Sequence, residues 1–221
     1  SQHTAVVFIL TNVTTPTKYI GEMNDTTVMT MDSENNLIGI SRTVRTDDIY
    51  AGSLISVQGF DTQVDTPSFA GSALVSFMVG GHVPIEGYIR VVLPVVAGVQ
   101  QGWQFASSLQ VVFSQPSEKT PTVDATAIQV ADGGRRMTFP IAAHDIPQGS
   151  LVEFTITNVT TPTRAAIAGP NVSATTFSKF MQVIDGPSNI EMGAVTTGSL
   201  GGLKTFNTSV DTPAYTGTAE V

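Results

Sequence analysis

The chain has 221 residues, no cysteine, a net charge of −8 and charged side chains at only 13% of positions. These values exclude disulfides, thiolate metal sites and cysteine nucleophiles, and they leave no basic footprint for nucleic acid. No apolar run reaches the roughly 18 residues of a membrane span, and the abundance of Thr, Ser, Val and Gly is that of a β-rich surface protein rather than a helical enzyme.

Near the N-terminus, Val6, Phe8 and Leu10 alternate with Val7, Ile9 and Thr11, the period of a half-buried strand. Val6, Phe8 and Leu10 are expected to face a core. The strand runs into Thr11-Asn12-Val13-Thr14-Thr15-Pro16-Thr17, where the proline ends it because it cannot donate to a ladder. That heptapeptide returns unchanged at 157–163, an offset of 146 residues. Sliding residues 1–75 onto 147–221 matches 24 of 75 positions without a gap. A fixed long period of this kind marks an internal repeat.

Thr27–Thr30 and Leu37–Ile40 are predicted strands around an Asp32–Asn36 turn. The equivalent stretch, Ala174 to Ile184, is predicted to turn later, at Asp185-Gly186-Pro187. Residues 41–70 form a polar connector expected to hold a strand or two with Phe60 packed, and 187–216 is its counterpart with Phe206. Gly52-Ser53-Leu54 recurs as Gly198-Ser199-Leu200, and the connectors end in a shared motif, Val64-Asp65-Thr66-Pro67 and Val210-Asp211-Thr212-Pro213.

From Ala73 the alternation puts Val75 and Phe77 inside and Leu74 outside. Strands follow at Tyr88–Leu93, Leu109–Phe113, Ala125–Val130 and Arg136–Ile141, with Asp132-Gly133-Gly134 as the hairpin turn between the last two. Next, Val152-Glu153-Phe154-Thr155-Ile156 buries its apolar positions. No segment sustains a 3.6-residue period. The expected fold is all-β, as immunoglobulin-like β-sandwich repeats with a period of about 146 residues. The phase divides the chain into the C-terminal half of a unit with its connector (1–70), a complete unit (71–216, sandwich 71–186 and connector 187–216) and the first strand of another (217–221).

Catalytic chemistry finds little support. His3, His82 and His144 each stand alone in sequence, and a hydrolase would need His82 and His144 to converge with acids. Asp47-Asp48 is the one adjacent acidic pair; Asp61 and Asp65 share a turn region. Asp65 and Asp211 recur at the repeat junction, where a capping or Asx-turn role is favoured over calcium. Five sequons, at Asn12, Asn24, Asn158, Asn171 and Asn207, point to N-linked glycans and an extracellular or cell-surface location. No other cofactor and no metal is expected.

Two further stretches carry a resemblance. His82-Val83-Pro84-Ile85-Glu86-Gly87-Tyr88-Ile89-Arg90-Val91-Val92-Leu93-Pro94 and Asp145-Ile146-Pro147-Gln148-Gly149-Ser150-Leu151-Val152-Glu153-Phe154, with the Asn-Val-Thr-x-Pro strand end, resemble the tandem immunoglobulin-like repeats of large secreted algal and protist proteins. The resemblance covers most of residues 71–185. It implies glycosylated surface or filament proteins, such as mastigoneme-like fibres, and supplies no catalytic residues. The expected function is a non-catalytic structural subunit of an extracellular glycosylated fibre or surface layer, its partners being copies of itself or adjacent units. The alternative is an adhesin or carbohydrate-binding module, for which Trp103, Tyr50, Tyr88 and Tyr19 are the available aromatics.

Overall fold

The computed structural model describes residues 7, 9–11, 13, 20–39, 41–97 and 102–198, the side chains of 56–58 excepted, and the backbone of 207–208 and 219–220. Its strands in chain order are β1 (Met23–Val28), β2 (Arg42–Thr46), β3 (Ile55–Thr62), β4 (Ala70–Met78), β5 (Tyr88–Val92), β6 (Gln104–Phe105), β7 (Val111–Gln115), β8 (Thr122–Val123), β9 (Gln129–Ala131), β10 (Arg136–Ala143), β11 (Leu151–Thr160), β12 (Gly169–Phe177), β13 (Val183–Met192), β14 (Asn207–Thr208) and β15 (Ala219–Glu220). The protein is all-β. A single 3-10 turn, Ala125–Ala127, replaces the first half of the strand expected at 125–130.

Eleven strands make one sheet in the order β6-β11-β4-β3-β13-β12-β5-β10-β8, with β7 also on β11 and β9 also on β10. β7 lies against β8, so the two ends of the sheet come together and the whole is nearly a barrel. Its inside is filled by the alternating positions of the long strands. Val75 and Phe77 of β4 and Val152, Phe154 and Ile156 of β11 are fully buried, while Leu74 is 39% exposed. Phe154 is the hub, with ring centroids 5.3 Å from both Phe113 and Phe139 and 6.2 Å from Phe77. Such edge-on contacts add to the area these rings bury. Among the described residues every buried hydrophobic side chain lies between Leu54 and Val195.

Expectation and structure part at several points. The 41–70 connector, expected to hold a strand or two with Phe60 packed, contains β3, a full member of the sheet between β4 and β13, and Phe60 is buried. Asp185-Gly186-Pro187 is not a turn but part of β13; the turn lies earlier, where the Ser178 N–H bonds the Gln182 carbonyl. A Gly-Pro pair is a weak turn signal when the strand is pinned on both edges, as β13 is by β12 and β3. The strand expected at 37–40 is only a bridge from Leu37 to Met31, and the return strand is β2. Leu10 is 70% exposed rather than in a core. Val6, Phe8, Tyr19 and Phe206 lie outside the described residues.

The registers of four strand pairs carry an internal relationship. β1 pairs with β2 as Met23↔Thr46, Thr26↔Val44, Thr27↔Thr43 and Val28↔Arg42. β12 pairs with β13 as Gly169↔Met192, Val172↔Ile190, Ser173↔Asn189 and Ala174↔Ser188. Each partner in the second set is the first advanced by 146, and the irregularity between the first two pairs occurs in both. The bridge Ile20↔Ile49 becomes Ala166↔Val195 by the same step. Likewise Asn207↔Glu220 and Thr208↔Ala219 of β14–β15 repeat Asp61↔Leu74 and Thr62↔Ala73 of β3–β4. The turns agree too. Asp32 Oδ1 accepts from the N–H groups of Glu34 and Asn36 (2.9 and 2.8 Å), and Ser178 Oγ accepts from those of Phe180 and Gln182 (both 3.3 Å).

Candidate functional site

The two sequence motifs that recur most faithfully meet in space. β11 ends by running into Thr161 and Pro162, and β3 leads through Val64–Pro67 into β4. Thr161, 2% exposed, donates through Oγ1 to the Thr66 carbonyl at 2.5 Å and accepts there from the Phe69 N–H at 2.9 Å. Its own N–H bonds the Phe69 carbonyl, and the Ser68 N–H bonds the Pro162 carbonyl, both at 2.9 Å. Asp65 accepts from the Thr62 hydroxyl through its side chain and from the Thr196 N–H through its carbonyl. The Val-Asp-Thr-Pro segment is thus clasped to the Asn-Val-Thr-Thr-Pro-Thr segment across about 95 residues of chain. The Asp65 carboxylate takes a side-chain hydroxyl from three residues earlier. Val210–Pro213 lie outside the described residues.

A second constellation surrounds Asp185, which sequence reading passed over. Its side chain is fully buried, and burial raises its pKa, against hydrogen bonds that lower it. Oδ2 accepts from the Gly81 N–H and the Thr176 hydroxyl, each at 3.1 Å. Oδ1 has no partner and sits where a Cβ on Gly52 would fall, 2.2 Å away. The glycine in Gly52-Ser53-Leu54 is therefore a close-approach residue: its N–H bonds the Ile184 carbonyl at 2.7 Å and its carbonyl receives the Gly186 N–H at 2.9 Å. The position 146 residues before Asp185 is Gly39, so the buried carboxyl belongs to one hairpin only.

The third feature is the β1–β2 hairpin itself. Positions that β12 and β13 bury are open here. Ala174 and Ile190 are fully buried, whereas their counterparts Val28 and Val44 are 39% and 42% exposed. Phe177 is 4% exposed, and its counterpart Met31 is 48%. These apolar positions are exposed on a hairpin that supplies no buried residue among those described.

The remaining candidates fall into place individually. Trp103 is not an exposed aromatic: it is 1% exposed and packs edge-on to Phe60 at 5.7 Å. Alternation gives no signal there, because Trp103 precedes a strand of two residues. Tyr88 is half-buried, and Tyr50 is exposed with its hydroxyl donating to Asp48 at 2.6 Å. Asp48 also accepts from the Glu22 N–H at 2.5 Å, so it organises the hairpin base. His82 Nε2 lies 2.8 Å from Asp145 Oδ2, and that hydrogen bond lowers the Asp145 pKa. Both groups are about half exposed on the surface. His144 is a neighbour in sequence, at a φ of 57°.

Among the sequons, Asn158 sits at the β11 bulge with a φ of 55° and donates Nδ2 to the Ser108 carbonyl at 2.7 Å. Asn24 on β1 and Asn171 on β12 have exposed side chains. Asn12 lies outside the described residues, and of Asn207 only the backbone in β14 is described. No group of three metal-ligating side chains occurs among the described residues, and no described helix is long and apolar enough to cross a membrane. Neither a family model, nor a curated protein, nor a solved structure matches the chain.

Proposed function

We propose that the chain is a non-catalytic structural subunit of an extracellular, glycosylated fibre or surface layer, built from tandem immunoglobulin-like β-sandwich units with a 146-residue period. The observation that carries this reading is the repetition of register. β1–β2 and β12–β13 share four pairings, a bulge, a bridge and a turn at one offset. Sequence identity between the two stretches is low: from 20–49 to 166–195 only Thr30/Thr176 and Ile38/Ile184 agree. Geometry kept while residues change is what successive units of an array have in common.

The core supports a shift in phase from the division at residue 71. Buried residues run from Leu54 to Val195, so the unit is read here as β3 to β13, with 1–50 as the end of a unit and β14–β15 as the start of another. The sandwich reading takes the nearly closed sheet as two facing halves, with Phe154 of β11 meeting Phe139 of β10 across the interior. The similarity to algal and protist filament proteins belongs to the same reading, with Asn24 and Asn171 as the accessible glycan acceptors. The carbohydrate-binding alternative loses its main aromatic with Trp103 buried.

Native material imaged by electron microscopy tests the proposal. A filament or lattice with glycopeptides at Asn24 or Asn171 is the expected result. Monodisperse single particles with unmodified asparagines would refute it.

A further inference from the structure

We propose that a groove over the start of β5 is a binding site for a neutral saccharide, of the size of a mono- or disaccharide. The proposal stands apart from the fibre reading and makes no use of the repeat.

Four segments meet at the groove. Alternation sends Ile89 and Val91 of β5 into the core, where both are fully buried, so Tyr88 lies on the outer face. Pro140 of β10 is its direct cross-strand partner. These two half-buried side chains floor a groove of about 480 Å³. The rim carries Glu86 from the turn into β5, Asp124 from the end of β8, and Lys179 and Phe180 from the β12–β13 turn. The volume falls in the range of roughly 300–1,000 Å³ in which proteins seat small ligands.

The rim is held in place before any ligand arrives. The Glu86 N–H bonds the Ile141 carbonyl at 2.8 Å, and the Gly87 N–H bonds the Pro84 carbonyl at 2.9 Å. Ser178 Oγ accepts from the Phe180 N–H at 3.3 Å. Asp124 Oδ1 accepts from the N–H and the hydroxyl of Thr126, at 2.9 and 2.6 Å, which leaves Oδ2 as an acceptor. Such preorganisation lowers the cost of binding.

The chemistry of the rim selects the ligand. A carboxylate only accepts hydrogen bonds and an ammonium only donates them. Glu86, Asp124 and Lys179 together therefore call for donors and acceptors on one small molecule. Sugar hydroxyls are both, and a pyranose also has an apolar C–H face for Tyr88, Pro140 and the 71% exposed Phe180. An anionic ligand meets two carboxylates on a chain of net charge −8. A cationic one meets Lys179, whose Nζ already stands 5.3 Å from the centroid of the Phe180 ring. A peptide strand would need main-chain partners, yet the Glu86 and Ile141 N–H groups are spent on the Ile141 and Gly87 carbonyls, and Pro140 has none.

The test uses the full chain made without glycans, two-dimensional NMR, and four probes: cellobiose, maltose, mannobiose and N,N′-diacetylchitobiose. At least one probe should bind with a Kd of about 1 mM or tighter and shift the amides of Glu86, Tyr88, Ala142 and Phe180. Phe180→Ala should weaken that binding about fivefold or more, and Glu86→Gln about fivefold. Both side chains are exposed, so the thermal midpoint should stay as it was. Repeating the titration on native chain before and after deglycosylation separates two sources of the sugar. Affinity that rises on deglycosylation marks a glycan of a neighbouring copy as the occupant, and unchanged affinity marks a separate saccharide. Three results overturn the proposal. The first is no shift of these amides by any probe at about 20 mM. The second is binding that both variants leave unaltered. The third is tetramethylammonium binding in the groove while the sugars do not, which would make it a cation site.

Discussion

Asn35 and Met181 stand 146 residues apart and hold one turn position, with φ of 64° and 59°. Asparagine tolerates the left-handed region because its side chain bonds locally; methionine carries the Cβ penalty without that relief. Met181 is 42% exposed, so little packing is lost on exchange. Met181→Asn is expected to stabilise the protein by about 0.5–1 kcal/mol, read as a rise in the thermal midpoint. A fall would show that the methionine side chain holds the turn.

Thr161 should be the most sensitive polar residue of the motif clasp. Thr161→Val keeps the shape but strips the Thr66 carbonyl and the Phe69 N–H of their shared partner. The expected loss is about 2 kcal/mol in denaturant unfolding, against less for Thr161→Ser, which keeps the hydroxyl. Equal losses for both variants would mean that the methyl group, not the hydrogen bonds, matters.

The buried Asp185 carboxyl imposes a pH dependence of definite sign. Its folded pKa is raised above the ordinary 3.8, so between those values the folded chain binds more protons than the unfolded one. Stability from this group is present below 3.8, declines as pH rises through the folded pKa, and stays lost above it. Asp185→Asn cannot titrate. The variant's stability relative to the parent should therefore improve from pH 4 to pH 7, measured by denaturant titration across that range. Parallel curves would place a counter-charge near Asp185.

Gly52 and Asp185 should behave as one site. Gly52→Ala drives a Cβ to 2.2 Å from Asp185 Oδ1, an overpacking expected to cost about 2 kcal/mol. In an Asp185→Ala background the clash is gone, and the cost should shrink to about half or less. Additive losses in that double-mutant cycle would locate the strain in the Gly52 backbone instead.

Much of the body was legible in sequence because alternation is a direct readout of facing. Val75, Phe77, Val152, Phe154 and Ile156 were placed inside by period together with the comparison of the two sequence copies, and all are buried. The hairpin turn at Asp132–Gly134 also followed from local chemistry. What failed was whatever depends on partners distant in sequence. A strand was expected somewhere in the 41–70 connector, but its place in the sheet was not, because one of its two neighbours, β13, lies far along the chain. Trp103 is buried by Phe60, some forty residues earlier.

The misplaced turn of β13 has a different cause. Asp185-Gly186-Pro187 carries every local turn signal, yet its aspartate is a buried acceptor for Gly81 and Thr176. The gapless offset alone would have placed the turn correctly, since Asp32–Asn36 maps onto Ser178–Gln182. For the β1–β2 hairpin, periodicity says which side of β1 is apolar. It cannot say whether another strand is there to cover it.

β3 and β13 lie side by side and run parallel, with Gly59 opposite Glu191 and Phe60 opposite Met192; in the tandem array proposed above, β3 would open the unit and β13 would close it. In a parallel pair the start of one strand and the finish of the other are at opposite ends. A tension transmitted from unit to unit would enter through β3 and leave through β13, dragging the two lengthwise past each other. Their hydrogen bonds, with the Gly52–Asp185 bridge among them, would then be strained together instead of opening in succession like a zip. Under load, such a unit yields late and all at once.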